Sequence, residues 1–303
     1  MAILATPRRL SRAGVLGLNR RNTELCLPLN PRGRYPLVDD KAITKALCQE
    51  HQIPVPETYA LVDRFGMVRD LERLVAGHPD FAVKPARGAG GRGVVVIARH
   101  DGQTFVKTTG ETLSLAELRY HVSTAMSGLH SLGGLPDRVI IERRVRPHPA
   151  FELFSVGGTP DTRIIMHLGA PLMAMMRLPT RASDGRANLH QGAIGVGIDL
   201  ASGRTTHAVC QNRSVDHHPD TGAPLRGVSL PHWDRQLELA TRLARVLAMG
   251  YVGIDLALDP TLGPVVLEAN ARPGLAIQMA NRQGLLTVLR QASATGNHAL
   301  TEG

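Results

Sequence analysis

Two strand-like runs, Tyr251–Asp259 (YVGIDLALD) and Gly263–Asn270 (GPVVLEAN), are separated by only three residues beginning with Pro260. Runs of this type joined by so short a turn pair as an antiparallel hairpin. With the turn centred between Thr261 and Leu262, Asp255 falls directly opposite Glu268. Asn270, two residues beyond Glu268, lies on the same face. The surrounding residues Val252, Ile254, Leu256, Val265, Val266 and Leu267 are apolar, so the acids interrupt a core-like stretch rather than decorate a solvated one. Like charges facing each other across a ladder are destabilising, and burying them unpaired costs more. Three oxygen-bearing side chains converging on one face suit Mg²⁺, a hard cation that takes oxygen ligands and substrate phosphates.

A second constraint is the segment FAVKPARGAGGRGVVVIA. Gly88, Gly90, Gly91 and Gly93 sit in a GxGxxG pattern. The dinucleotide-binding version of that pattern opens a helix, whereas Val94, Val95, Val96 and Ile97 form a β-branched run that favours a strand. A kinase would place its lysine downstream of the loop and would carry HRD and DFG triplets. Neither triplet is present, and Lys84 lies upstream. What remains is a strand at 81–85, a glycine loop at 86–93 and a strand at 93–98. Backbone N–H groups in such a flap, with a lysine on the incoming strand, can close over phosphates.

Elsewhere the pattern predicts a helix over 41–51 capped by Asp39 or Asp40, a helix at 114–126 and a strand at 138–145. Short strands and one polar loop fill 161–211. An amphipathic helix spans 232–249, with Leu237, Ala240, Leu243, Ala244 and Leu247 on one face. A final helix is expected near 276–292. The plan is α+β, with strands too irregularly interleaved for a doubly wound sheet.

Bulk properties exclude several classes. No apolar run approaches the roughly 18–20 residues needed to span a bilayer. Cys26, Cys48 and Cys210 fit no zinc or redox spacing, and the thirteen histidines show no paired-ligand spacing. A reducing, cytoplasmic setting is expected. The formal net charge is +9. Much of it lies in Arg8, Arg9, Arg12, Arg20, Arg21, Arg32 and Arg34, opposed by Glu24. Aromatic residues make up 3%, too few for stacking platforms, so nucleic-acid binding is disfavoured.

Together these segments resemble the ATP-grasp superfamily, and within it the RimK-related α-L-glutamate ligase-like proteins of the sugar-transfer-associated branch. The motifs are YPLVDDKAITK, FAVKPARGAGGRGVVVI, VIIERRV, GTPDTRII, MAMMRLPTRASDGRANLHQGA, GIDLALD and LEANARPGLAIQ. The resemblance implies an ATP-grasp fold, with two α+β subdomains clamping ATP. It also implies a ligase that joins a carboxylate to an amine through an acyl phosphate, adding an amino acid such as glutamate. A nucleotide-binding regulator or adaptor without turnover is the rival class. The resemblance places Lys41 and Lys84 on the nucleotide phosphates under the loop of Gly88, Gly90, Gly91 and Gly93. Glu142 accepts from the adenine amino group, with the Val145 backbone beside it, and Glu152 is the candidate for the ribose. Asp255, Glu268 and Asn270 hold one or two Mg²⁺, for which Mn²⁺ can substitute. Arg163 and Arg177 meet the γ-phosphate and acyl phosphate, Asn188 and His190 line the acceptor side, and Arg272 steadies the transferring phosphate or a substrate carboxylate.

The expected organisation is a basic arm at 1–36, a small subdomain with its flap at 37–145, a large subdomain with the metal site at 146–295 and a tail at 296–303. The arm stands where related ligases carry a full preceding domain, and is expected to dock on a protein partner or complete a homodimer. Substrates are small-molecule or peptide carboxylates and amines.

Overall fold

The computed structural model describes residues 6–88 and 90–299. Among these the strands form two antiparallel sheets. The smaller contains β1 (Thr58–Val62), β2 (Phe81–Pro85), β3 (Val95–His100), β4 (Thr104–Lys107), β5 (Thr112–Ser114) and β6 (Val139–Glu142), in the order β1-β6-β2-β3-β4-β5. Central β2 is buried along its length, which its apolar composition suits. The Leu115–Met126 helix covers the sheet with Leu118, Val122 and Ala125, against Phe81, Val83, Ile97 and Phe105. Ser114 and Glu117 close its N-terminus as a reciprocal capping box, satisfying backbone donors that the helix leaves unpaired.

The larger sheet contains β7 (Asp161–His167), β8 (Ala170–Leu178), β9 (Ile194–Ile198), β10 (Thr205–Cys210), β11 (Arg213–Ser214), β12 (Tyr251–Asp259) and β13 (Gly263–Asn270), ordered β11-β10-β9-β8-β7-β12-β13. One face packs on the Trp233–Leu247 helix, whose Ala240, Leu243, Ala244 and Leu247 are buried as expected, while Leu237 is only partly buried and Leu239 is buried beside them. Fully burying each such leucine contributes about 1.5–3 kcal/mol. Part of the other face is covered by N-terminal and C-terminal helices; the remainder carries the polar residues described below.

The two hairpin strands run over the expected residues. Four other features differ from expectation. The strand after the glycine loop starts at Val95, because Gly93 adopts φ +74 and still belongs to the turn. The strand expected at 138–145 ends at Glu142, beyond which the chain crosses to the larger sheet: the Arg146 N–H donates to Asp259 Oδ2 and the His148 N–H to the Leu258 carbonyl. The last helix is two, Ile277–Ala280 and Leu285–Ala299. Between them Arg282 takes φ +49, and Gly284 lies so close to Gly14 that a Cβ would meet its carbonyl carbon at 2.2 Å. The second helix runs to Ala299, and the rest of the expected tail, like residues 1–5, lies outside the described residues.

The fourth concerns the N-terminal segment. Residues 7–39 form short helices and the loops between them, and their Leu16, Leu25 and Cys26 pack with Ile165, Met173, Tyr251, Ile277 and Leu285. Asn30 pairs with the first residue of β12, donating to the Tyr251 carbonyl at 2.7 Å and accepting from its N–H at 3.0 Å. Arg21 is buried and donates to the Pro273 carbonyl at 3.0 Å, while Arg8, Arg9, Arg12, Arg20, Arg32 and Arg34 are exposed. The Lys41–Glu50 helix also leans on the larger sheet, since Val38, Cys48 and Ile53 join its core. Among the described residues no helix is long and apolar enough to cross a membrane.

Candidate active site

A cavity of about 540 Å³ lies between the sheets. Its floor is the open face of β7, β8, β12 and β13. Asp255 pairs with Glu268 on one side and with Arg163 on the other, as the expected hairpin register requires on the first count. The register then slips by one between Asp255 and Leu256, leaving Leu267 as an extra residue. Such a bulge re-aims neighbouring side chains, and both Leu267 and Glu268 line the cavity. Asn270 joins the two acids, its Nδ2 lying 3.3 Å from Asp255 Oδ2 and 3.2 Å from Glu268 Oε1.

Arginines balance the buried charge. Arg163 donates from Nε and Nη2 to the two Asp255 oxygens at 2.7 and 2.6 Å. Arg177 grips Asp161 at 2.5 and 2.6 Å and also reaches Asp255 Oδ2 at 2.8 Å. Burial would push Asp255 up, but Arg163 and Arg177 outweigh it and hold the carboxyl well below the usual range. Burial also opposes the charge on Arg177, yet Asp161 and Asp255 raise its pKa. Lys41 Nζ lies 3.2 Å from Glu268 Oε2 and donates to the Gly88 carbonyl at 2.5 Å, tying the hairpin to the start of the glycine loop.

The donor set fits a hard divalent cation. Two carboxylates and one amide share a face and line the cavity, and Asp255 is ionised. Among the described residues no three His, Cys, Asp or Glu side chains are placed together to hold a metal ion, so the third protein ligand would be the Asn270 amide, leaving positions for phosphate oxygens and water.

The roof comes from the smaller sheet. Lys84 on β2 lines the cavity with Gly88, Gly90 and Gly91. The three glycines Gly90, Gly91 and Gly93 have φ between +66 and +74, a region that other residues rarely adopt. Lys84 is aimed by Glu142, which is 2% exposed and ion-paired with both Lys84 and Lys45. Glu142 therefore departs from the adenine-contacting role expected of it: both oxygens are engaged by lysines and it does not line the cavity. Lys45, one helical turn after Lys41, gave no sequence signal beyond that spacing.

Other expected residues divide in the same way. Arg163, Arg177, Asn188 and His190 line the cavity. Gly93 sits at the far end of the flap, outside the lining. Val145 is also outside it, and its carbonyl accepts from Thr159 Oγ1 at 3.1 Å. Arg272 stacks 4.6 Å over the Tyr35 ring instead of reaching the cavity, and Glu152 is exposed away from it. The structure adds Arg92, Lys107, Arg144 and Arg186 to the lining. Arg186, two residues before Asn188 in the polar loop, was within reach of sequence reasoning; Lys107, on an ordinary strand, was not. Cationic side chains thus outnumber carboxylates around the cavity, as a polyanionic ligand requires.

Comparisons with known proteins agree with this geometry. The family model for sugar-transfer associated ATP-grasp proteins matches residues 20–294. A probable alpha-L-glutamate ligase from Maridesulfovibrio salexigens is 25% identical over 236 residues, 78% of this chain and 56% of that protein. Cyanophycin synthetase from Synechocystis sp. is 25% identical over 270 residues, 82% of this chain and 29% of that protein. The chain thus spans little more than half of one relative and less than a third of the other. The biotin carboxylase domain of Hydrogenobacter thermophilus 2-oxoglutarate carboxylase, solved with MgADP and bicarbonate, is similar in fold. Its TM-score is 0.50 at 14% identity, over 86% of this chain and 46% of that one. With its two antiparallel sheets, glycine flap and carboxylate hairpin, this chain belongs to the sugar-transfer associated ATP-grasp family.

Proposed function

We propose that the cavity binds ATP and that the protein is a carboxylate–amine ligase acting through an acyl phosphate. The observation that carries this reading is the meeting, in one cavity, of Lys41 and Lys84, the glycine flap, two arginines and the Asp255–Glu268–Asn270 face. A bare carboxylate is a poor acyl donor because oxide is a poor leaving group. Attack by a carboxylate oxygen on the γ-phosphorus, with ADP leaving, makes the acyl phosphate. An amine then attacks the acyl carbon and phosphate departs, leaving an amide.

Such chemistry needs positioning and charge neutralisation more than covalent help. Lys41 and Lys84 would hold phosphate oxygens, and flap N–H groups would cover them. Glu142 fixes Lys84. Arg163 and Arg177 stand where charge develops on the transferring phosphoryl group. Asp255, Glu268 and Asn270 would hold one or two Mg²⁺, or Mn²⁺ in its place. When bound, the metal neutralises β- and γ-phosphate charge. Asn188 and His190 face the acceptor side. The name of one relative, a probable alpha-L-glutamate ligase, makes amino acids the first substrates to try.

The test is ADP formation in the presence of Mg²⁺, ATP and pools of carboxylates and amines, with product masses read in parallel. A stimulating pair with a condensation product supports the ligase. Nucleotide binding with no pair that stimulates ADP formation favours a regulator or adaptor instead.

A further inference from the structure

The glycine flap is anchored at both ends by the smaller sheet's side and touched at its tip from the larger one. At its start, Gly88 forms an isolated antiparallel bridge with Ser131. At its end, the Gly93 carbonyl lies 2.9 Å from His121 Nε2. The His130 ring is so near that a Cβ on Gly93 would meet it at 2.5 Å. Between these anchors Gly90 and Gly91 have no side chains of their own with which to hold a position.

The loop after β8 reaches that tip. Asn188 Nδ2 donates to the Gly90 carbonyl at 3.1 Å. The stem of Arg186 passes 3.8 Å from where a Gly91 Cβ would stand. The other half of the Asn188 amide serves its own loop: Oδ1 accepts from the His190 N–H at 3.1 Å and caps the Leu189–Gln191 turn. One side chain therefore joins the flap over the proposed phosphate site to the turn that carries His190. A neutral amide suits this place because it offers a donor to a carbonyl and an acceptor to an N–H at once.

We propose that Asn188 is a positioning residue that latches the flap tip to the acceptor-side turn, so that nucleotide release and the order of that turn are coupled. The proposal rests on the reading that the cavity takes ATP. Opening the flap breaks the Asn188–Gly90 hydrogen bond, and whatever orders the His190 turn holds the flap shut. Such coupling is reciprocal: a filled flap also orders the turn.

The experiment uses the full chain and its Asn188→Ala and Asn188→Asp variants. It reads release of a fluorescent ADP analogue with Mg²⁺, and amide hydrogen exchange over residues 88–93 in nucleotide-free protein. Asn188→Asp keeps the cap on the His190 N–H and loses the donor to Gly90; Asn188→Ala loses both. The latch predicts release about fivefold faster in both variants, the size expected of one neutral hydrogen bond, with faster flap exchange in both. Acceleration confined to Asn188→Asp would reflect the added charge alone. Acceleration confined to Asn188→Ala would reflect the lost cap. Either result, or no change, overturns the proposal. Failure of the unsubstituted protein to bind the probe sinks the nucleotide reading instead, while flap exchange in nucleotide-free protein still decides the latch.

Discussion

Arg163 holds Asp255 through both carboxylate oxygens, and Arg177 adds a third contact at 2.8 Å, although Asp255 is fully buried. The arginines come from β7 and β8 and the acid from β12, so the cluster exists only once these strands have paired. A buried carboxylate with two guanidinium partners is stable as a set and fragile to the loss of one member.

Asp255→Asn should therefore destabilise the metal-free, nucleotide-free protein by about 3–5 kcal/mol at neutral pH, by leaving two buried guanidinium groups short of charge. Because Asp255 is held below its ordinary pKa, its contribution is complete above the unfolded value near 3.8 and is lost as pH falls through the folded value. Denaturant unfolding of the two proteins should differ at pH 7 and converge in acid. Equal stability at pH 7 would show that the ion cluster is not formed.

Glu268→Gln should abolish ADP formation, by more than about a hundredfold, with little change in melting temperature. Glu268 is half-buried at the cavity wall and its nearest cation is Lys41 at 3.2 Å, so the fold depends on it far less than on Asp255. Turnover at the unsubstituted rate would remove the metal assignment. Calorimetric titration with Mg²⁺ and ADP gives an independent reading.

Glu142→Gln separates two roles. If Glu142 is the buried counter-ion of Lys45 and Lys84, the change costs about 3–5 kcal/mol and weakens nucleotide binding, with the preference for adenine over guanine unchanged. A stable variant with altered base preference would restore the adenine-contacting role.

Thiol labelling reports the packing of the N-terminal third. Burial raises all three thiols, that of Cys48 to about 12, so access decides which reacts, and Cys26 and Cys48 are buried in the folded protein. Cys210 is half-buried and should react first with iodoacetamide, the other two reacting on unfolding. Rapid native labelling of Cys26 would contradict the packing of residues 7–39 against the larger sheet.

The sequence by itself determined the antiparallel hairpin that carries Asp255, Glu268 and Asn270. A short turn between two apolar runs predicts the hairpin, but the pairing of Asp255 with Glu268 depends on the extra residue at Leu267: next to the turn the pairs are Asp259–Gly263 and Leu258–Pro264, one residue away from the register of a turn centred between Thr261 and Leu262. The flap was legible because glycines between a lysine-bearing strand and a β-branched run have few alternatives. The bulge at Leu267 was not legible, because nothing local requires one extra residue. Nor was the fate of Glu142, whose partner Lys45 lies 97 positions away, or the arrival of Arg163 and Arg177 at Asp255 from 92 and 78 positions away. The tertiary structure decided these through strand order and shared apolar surfaces, which bring residues together by burial that no short window of sequence encodes. It decided the N-terminal segment in the same way: its arginines read as a basic arm, but Leu16, Leu25 and Cys26 find an uncovered face of the larger sheet, and burying them there outweighs leaving the segment free.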